Sequence, residues 1–205
     1  MVSASKAVSE PIAAPPAAAT KPIAQFNARI SAYLVDSIIL VALILVFVVL
    51  SGLELLIANN RTDGDPPEAA FYAAVAIFLG GLLLTWTALN LALLRWRGQT
   101  TGMYVIGIRA VSEDGRPLPM RRVVGRWLGL HPLLFHPFLL PVWALLSLVV
   151  VSEALSQAAL IVTIMLVVLC IISPVAALIT ALADPERRAL HDRLAGTVVV
   201  HLDNP

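Results

Sequence analysis

Charge and sulfur are what this sequence holds least of. Only 13% of its 205 residues are charged, about half the share of an ordinary soluble domain. Hydrophobic residues fill 59%, and a soluble chain of this length has no interior able to take up that much apolar surface. A bilayer has. The single cysteine, Cys170, lies inside an apolar run, which excludes a disulfide framework or a thiolate metal cluster and reads as a small apolar helix residue. A net charge of +1 offers little to a phosphate backbone, so no nucleic-acid partner is expected. No P-loop, H-E-x-x-H, G-x-S-x-G or Gly-x-Gly-Asp occurs, and with no nucleophile–base constellation the chain reads as no enzyme, with no cofactor. His131 and His136 stand five residues apart, off a common helical face, with no carboxylate close in sequence, which argues against a metal site. No internal repeat of transporter type is visible. Residues 1–24, rich in Ala and Pro around Lys6 and Lys21, lack the apolar stretch of a signal peptide and read as a disordered cytoplasmic tail.

What is present is long apolar runs. A spanning helix needs about 20 mostly apolar residues, and four segments over 25–203 qualify: about 30–53, 70–94, 133–151 and 158–182. The third is the weakest. Pro132, Pro137 and Pro141 interrupt its start, so an irregular segment is expected there with regular helix only after Pro141. The link of residues 152–157 is short enough to make the third and fourth segments a tight helical hairpin. The expected fold class is an all-α membrane protein, a four-helix transmembrane bundle carrying a small cytoplasmic β-hairpin or sheet cap.

Charge sets the orientation. Of fourteen Lys and Arg, only Arg61 falls in a segment assigned to the outside, beside Glu54, Asp63, Asp65 and Glu68. Arg95, Arg97, Arg109, Arg116, Arg121, Arg122 and Arg126 crowd the link between the second and third segments, and Arg187, Arg188 and Arg193 the C-terminal tail. The positive-inside rule then puts both termini in the cytoplasm and requires an even number of spans. Losing the third would leave the Arg-containing tail outside, against the charge pattern. The expected location is the cell membrane, a bacterial plasma membrane, with the lipid bilayer as partner together with a second copy of the chain or another membrane protein.

The basic link is more than a loop. Val105–Val111 has β-branched strand character before the turn signal Ser112-Glu113-Asp114-Gly115, and Thr197–Leu202 offers a second strand. A lone short strand is unstable, so the two are expected to pair. Met120–Leu130 reads as a basic amphipathic helix on the membrane surface.

Asp36 is the most informative residue. An acidic group at the centre of a membrane helix costs about 2.5–3.5 kcal/mol, less near the interface, so it should face the bundle interior and find a partner. Arg29 lies on the same helical face roughly 10 Å away with Tyr33 between, making a polar stripe that runs inward from the cytoplasmic surface. Two readings are open: part of an ion, proton or substrate path, or a structural ion pair completed by an Arg such as Arg126 or Arg193. Asn90, with Thr85 and Thr87 nearby, suits an interhelical hydrogen bond.

Arg29-Ile30-Ser31-Ala32-Tyr33-Leu34-Val35-Asp36 resembles the opening R-x-x-A-x-x-x-D of the RDD family of membrane proteins, named for one arginine and two aspartates. Gly98-Gln99-Thr100-Thr101-Gly102, followed by Ile106–Val111 and Asp114-Gly115, looks like its central segment, and Leu190–Val200 like its closing motif. Asp192 would then be the second aspartate, supported by His191, Arg193 and the turn residue Gly196. The family's central motif usually has Lys after the second Gly; this chain has Met103, so that role is missing or has passed to Arg109. The resemblance implies transport of ions or small solutes, with sodium–proton antiport proposed for some members. The rival expectation is a non-catalytic membrane scaffold or accessory subunit.

Overall fold

The computed structural model describes residues 22–62, 67–114, 116–151 and 156–202. The tail over 1–21, the loop acids Asp63 and Asp65, Gly115 of the turn signal and link residues 152–155 lie outside these. The first helix, α1, runs Phe26–Thr62, roughly 55 Å at about 1.5 Å per residue, beyond both ends of the expected 30–53. The second, α2, runs Glu68–Arg97 and contains a π-helical turn, Ile77–Gly81. That turn brings Gly81 against α1, where a Cβ would lie 2.3 Å from the Phe47 ring. A side chain there would force the Phe47 ring to move. Gly98 ends α2 in the left-handed region at φ 68°, and a Cβ there would lie 2.5 Å from the Ala110 carbonyl.

A short helix, α3, Thr101–Ile106, follows directly. Thr100 caps it, its Oγ1 accepting from the Met103 amide at 3.2 Å. Because Val105 and Ile106 complete this helix, the strand β1 is Ile108–Ser112, beginning three residues later than its composition suggests. It pairs antiparallel with β2, Thr197–His201, Ala110 opposite Val199. Pro22–Ala24, which composition places in the tail, line the other edge of β2: the Ala24 amide donates to the Val199 carbonyl at 2.8 Å and the His201 amide to the Pro22 carbonyl at 2.9 Å. The Ala110 amide in turn donates to the Gly98 carbonyl at 2.7 Å. Neighbours on both sides explain how two five-residue strands persist. Helix α4, Met120–Leu128, lays Val123, Arg126 and Trp127 inward and leaves Arg121 exposed.

The expected third span takes a different form. Turns over 129–136 lead through a 3₁₀ turn, Pro137–Leu139, into α5, Leu140–Val151. Pro137 opens the 3₁₀ turn, and Pro141 sits in the first turn of α5, where no amide donor is needed. At 12 residues, α5 covers about 18 Å of the roughly 30 Å hydrocarbon layer. It packs along α6, Ser156–Ala183, with the Ser147 and Thr163 hydroxyls 2.5 Å apart. Pro174 lies inside α6, and Ser173 beside it donates to the Leu130 carbonyl at 2.9 Å. A last short helix, α7, is Leu190–Ala195.

Among the described residues three helices, α1, α2 and α6, are therefore long and apolar enough to cross a membrane. Their outer faces expose Leu34, Ile38, Leu45, Val49, Leu84, Ile161, Met165 and Ile179. In water each would forgo about 1.5–3 kcal/mol of burial, whereas lipid accepts them. One core runs from Leu40, Leu82, Trp86 and Leu133 between the rods to Ile108, Val123 and Val199 under the sheet. The sheet, both ends of the described chain and most of the arginines share one end of the molecule.

Candidate functional site

Two carboxylates organise the site. Asp192, on α7, has no exposed side-chain surface. Its Oδ2 accepts from Arg29 Nη1 at 2.8 Å and from the Ala189 amide at 3.1 Å, the latter being half of a capping box at the start of α7. Its Oδ1 accepts from Arg126 Nη1 and, at 3.4 Å, from the Thr197 hydroxyl. Arg126 also donates to Thr197 Oγ1 at 3.0 Å. One aspartate thus ties α1, α4, α7 and β2 together. Burial alone would raise the Asp192 pKa, but Arg126, His191 and Arg29 outweigh it and hold the carboxyl well below the usual carboxylate range.

Asp36, on α1, is as deeply placed, at 3% exposure, yet meets no cation among the described residues. Its Oδ2 accepts from the Thr100 hydroxyl at 2.6 Å and its Oδ1 from the Gly102 amide at 2.7 Å. These donors are the cap and first turn of α3. Gly102 is what lets α3 approach so closely: a Cβ there would lie 1.9 Å from the Ala32 carbonyl oxygen of α1 and 2.9 Å from the Asp36 carboxyl carbon.

The histidines knit the surroundings. His136 Nδ1 accepts from the Phe138 amide at 3.2 Å, so its Nε2 carries the proton and donates to Ser37 Oγ at 2.8 Å. Ser37 passes its own proton to the Tyr33 carbonyl at 2.7 Å, and the Tyr33 ring stacks on His136 with centroids 5.0 Å apart. His131 Nδ1 accepts from the Leu133 amide at 3.2 Å, which leaves its Nε2–H without a partner. Its ring lies 4.4 Å from that of His191. Burial pulls His191 down to about 4, with Asp192 opposing and Arg126 and Arg29 adding to the shift. The His191 ring is neutral at neutral pH.

Arg29, Tyr33, Asp36, Arg126, His131 and His191 line one half-open cavity of about 280 Å³, together with apolar side chains of α1 and α6. Among the described residues no group of three His, Cys, Asp or Glu side chains is arranged to hold a metal.

The model of the RDD family matches residues 23–196. The chain belongs to the RDD family. No match was found among curated proteins or solved structures. In this RDD chain Arg29 and Asp192, 163 positions apart, form a 2.8 Å ion pair.

Sequence reasoning placed Arg29, Tyr33, Asp36, Arg126, Asp192 and His191 together, and they line or touch one cavity. The partner expected for Asp36 is corrected: Arg126 goes to Asp192, and Arg193 is exposed on α7. Asn90 is corrected too. Its Nδ2 donates to the Trp86 carbonyl of its own helix at 2.9 Å, while Trp86 Nε1 makes the link between segments, to the Leu133 carbonyl at 2.8 Å. Met103 lines the cavity, and Arg109 is not among the residues that line it. Gly196 takes φ 61° between α7 and β2, and its carbonyl accepts from Arg122 Nη1 at 2.9 Å. Thr100, Gly102 and Thr197 were missed as site residues. The first two sit in the quoted central motif, where a capping Thr followed by Gly signals a helix start but not what that start faces.

Proposed function

We propose that this RDD protein is a multi-pass membrane protein that takes part in transport of ions or small solutes, with Asp36 as the exchangeable charge. The observation that carries this reading is the state of Asp36. It is buried on a helix long enough to span the membrane, lines a cavity, and is held by the neutral donors Thr100 and Gly102 alone. A proton or a cation can take up its charge without breaking an ion pair.

The reading includes four passes with both termini and the sheet on the cytoplasmic side of a cell membrane. The clustering of arginines at the sheet end supports that orientation. The antiparallel packing of α5 on α6 supports a broken third pass, from His131 at the sheet end to Val151 at the far end. Four passes enclose little space, so the path requires a homo-oligomer or another membrane protein. The closed Arg29–Asp192–Arg126 cluster favours a second reading, a membrane scaffold whose polar residues only hold the fold.

Purified protein in vesicles, with ion and proton flux as readouts, tests the proposal. Asp36→Asn should fold and lose flux. Absence of flux in the wild-type protein, or unchanged flux in the variant, gives the scaffold reading the advantage.

A further inference from the structure

Away from the cavity, arginines gather where no acid neutralises them. Arg29 and Arg126 are taken by Asp192, Arg188 by Asp184 and Glu113, and Arg122 by the Gly196 carbonyl. Arg95, Arg97 and Arg109 form no ion pair with any described residue. These three meet at the corner between α2 and α3. Arg95 and Arg97 are exposed in the last turn of α2. The stem of Arg109 crosses the residue that follows, its Cγ 3.0 Å from where a Cβ on Gly98 would stand.

Exposed aromatic and apolar surface lies among these cations. Trp96 is 81% exposed, and Tyr104 and Val105 on α3 are 57% and 61% exposed. The Arg97 guanidinium stands 4.9 Å from the centroid of the Tyr104 ring, a contact that positions the charge without neutralising it. Depth agrees with this composition. The 30 residues of α2 measure about 45 Å, against ~30 Å for the hydrocarbon layer and about 40–45 Å with the headgroups included. Its last turn therefore stands among the headgroups, the level at which tryptophan and tyrosine rings settle. The far end of α2 exposes Phe71 and Tyr72 beside Glu68, so aromatic rings mark both ends of this helix and arginines only one. A soluble acidic partner would use the arginines but not rings set at this depth; an anionic lipid uses both.

We infer that the α2–α3 corner is a binding site for the headgroup of an anionic phospholipid. Arg95, Arg97 and Arg109 take the negative charge, and Trp96, Tyr104 and Val105 seat the lipid below its headgroup. The inference rests on α2 crossing a bilayer and is independent of transport, since lipid binding requires no flux.

The test places the full chain in nanodiscs of phosphatidylcholine with a minor share of phosphatidylglycerol, and reads tryptophan fluorescence with bromine on the chains of one lipid or the other. Trp86 and Trp127 are buried, so the exposed Trp96 is the reporter. Brominated phosphatidylglycerol should quench at least about threefold beyond its share of the lipid, and high salt should bring that excess down. Arg95→Gln combined with Arg97→Gln removes two charges that hold no hydrogen bond, and should return the quenching to the lipid's share with the melting temperature of the wild type. Arg193→Gln, at an exposed arginine of α7, should leave the excess unchanged. Trp96→Phe should remove the part of the quenching that depends on phosphatidylglycerol. Equal quenching by the two lipids in proportion to their shares would overturn the inference and turn these arginines toward an acidic protein. An excess indifferent to salt, or one that survives the double substitution or Trp96→Phe, would overturn it as well.

Discussion

Asp192 and Asp36 are both buried acids within the matched RDD region, and their surroundings are opposite. Asp192 lies where four elements of the sheet end converge, and two guanidinium groups, an amide and a hydroxyl saturate it. Asp36 lies about 15 Å along α1 from its first residue and has two neutral donors from a single short helix. A charge locked by several elements fixes a structure, because removing it strands its partners. A charge held by neutral donors has its counter-charge still to find. The sheet end is locked by ion pairs, whereas the Asp36 contact with α3 is held by neutral hydrogen bonds.

The sharpest way to break this contrast is at Asp192. Asp192→Asn leaves Arg29 and Arg126 without a countercharge, and removing one partner of a buried ion pair costs about 3–5 kcal/mol. Thermal unfolding in detergent should show a large loss, or the variant should fail to accumulate. Next comes Gly102→Ala. The added methyl would meet the Ala32 carbonyl oxygen at 1.9 Å, and backbone cannot give way as a side chain can, so about 1–3 kcal/mol is expected from overpacking. The same substitution at Gly125, where a Cβ would meet nothing within 4 Å, is the matched control.

pH separates the two regions more gently. His191 has its folded-state pKa lowered to about 4, so between about 6.5 and 4 the unfolded chain binds more protons than the folded one, and stability falls as pH drops through that window. Asp192, whose pKa is also depressed, adds a loss in the same direction at more acid pH. A melting-temperature series from pH 7.5 to 4.5 (roughly the range that brackets these values) should fall below about pH 6.5, and His191→Gln should lessen the slope. Arg193→Ala should do least, within about 0.5 kcal/mol, because that side chain is exposed and stays out of the cluster. A large effect there would mean the sheet end is held differently.

Much of this was legible in the sequence. Apolar runs marked α1, α2 and α6, and β-branched residues within the arginine-rich link and in the C-terminal tail marked the strand pair. The motif residues Arg29, Asp36 and Asp192 pointed to the site before any geometry was known. Their pairing was not legible, because helical spacing reports which face a residue occupies and not what stands opposite. Asp36 and the nearby arginines invited an ion pair, yet Gly102, with no Cβ, lets a backbone amide take up the carboxylate. The shortness of α5 escaped for a related reason. Its prolines mark where regular helix is interrupted, but the length of the irregular stretch is set by what packs on it, here Trp86 bonding to the Leu133 carbonyl and Ser173 to the Leu130 carbonyl. Asn90 bonds within its own helix, a choice polarity alone does not reveal.

The contrast between the two aspartates is tested most directly by melting Asp36→Asn and Asp192→Asn side by side in the same detergent. An asparagine at position 36 can still accept from the Gly102 amide and donate to Thr100 Oγ1, so its cost should stay near 1 kcal/mol, with expression close to wild type. At position 192 the amide turns a donor toward the guanidinium groups and the fold should weaken severely. Equal losses, or a larger loss at position 36, would contradict the account.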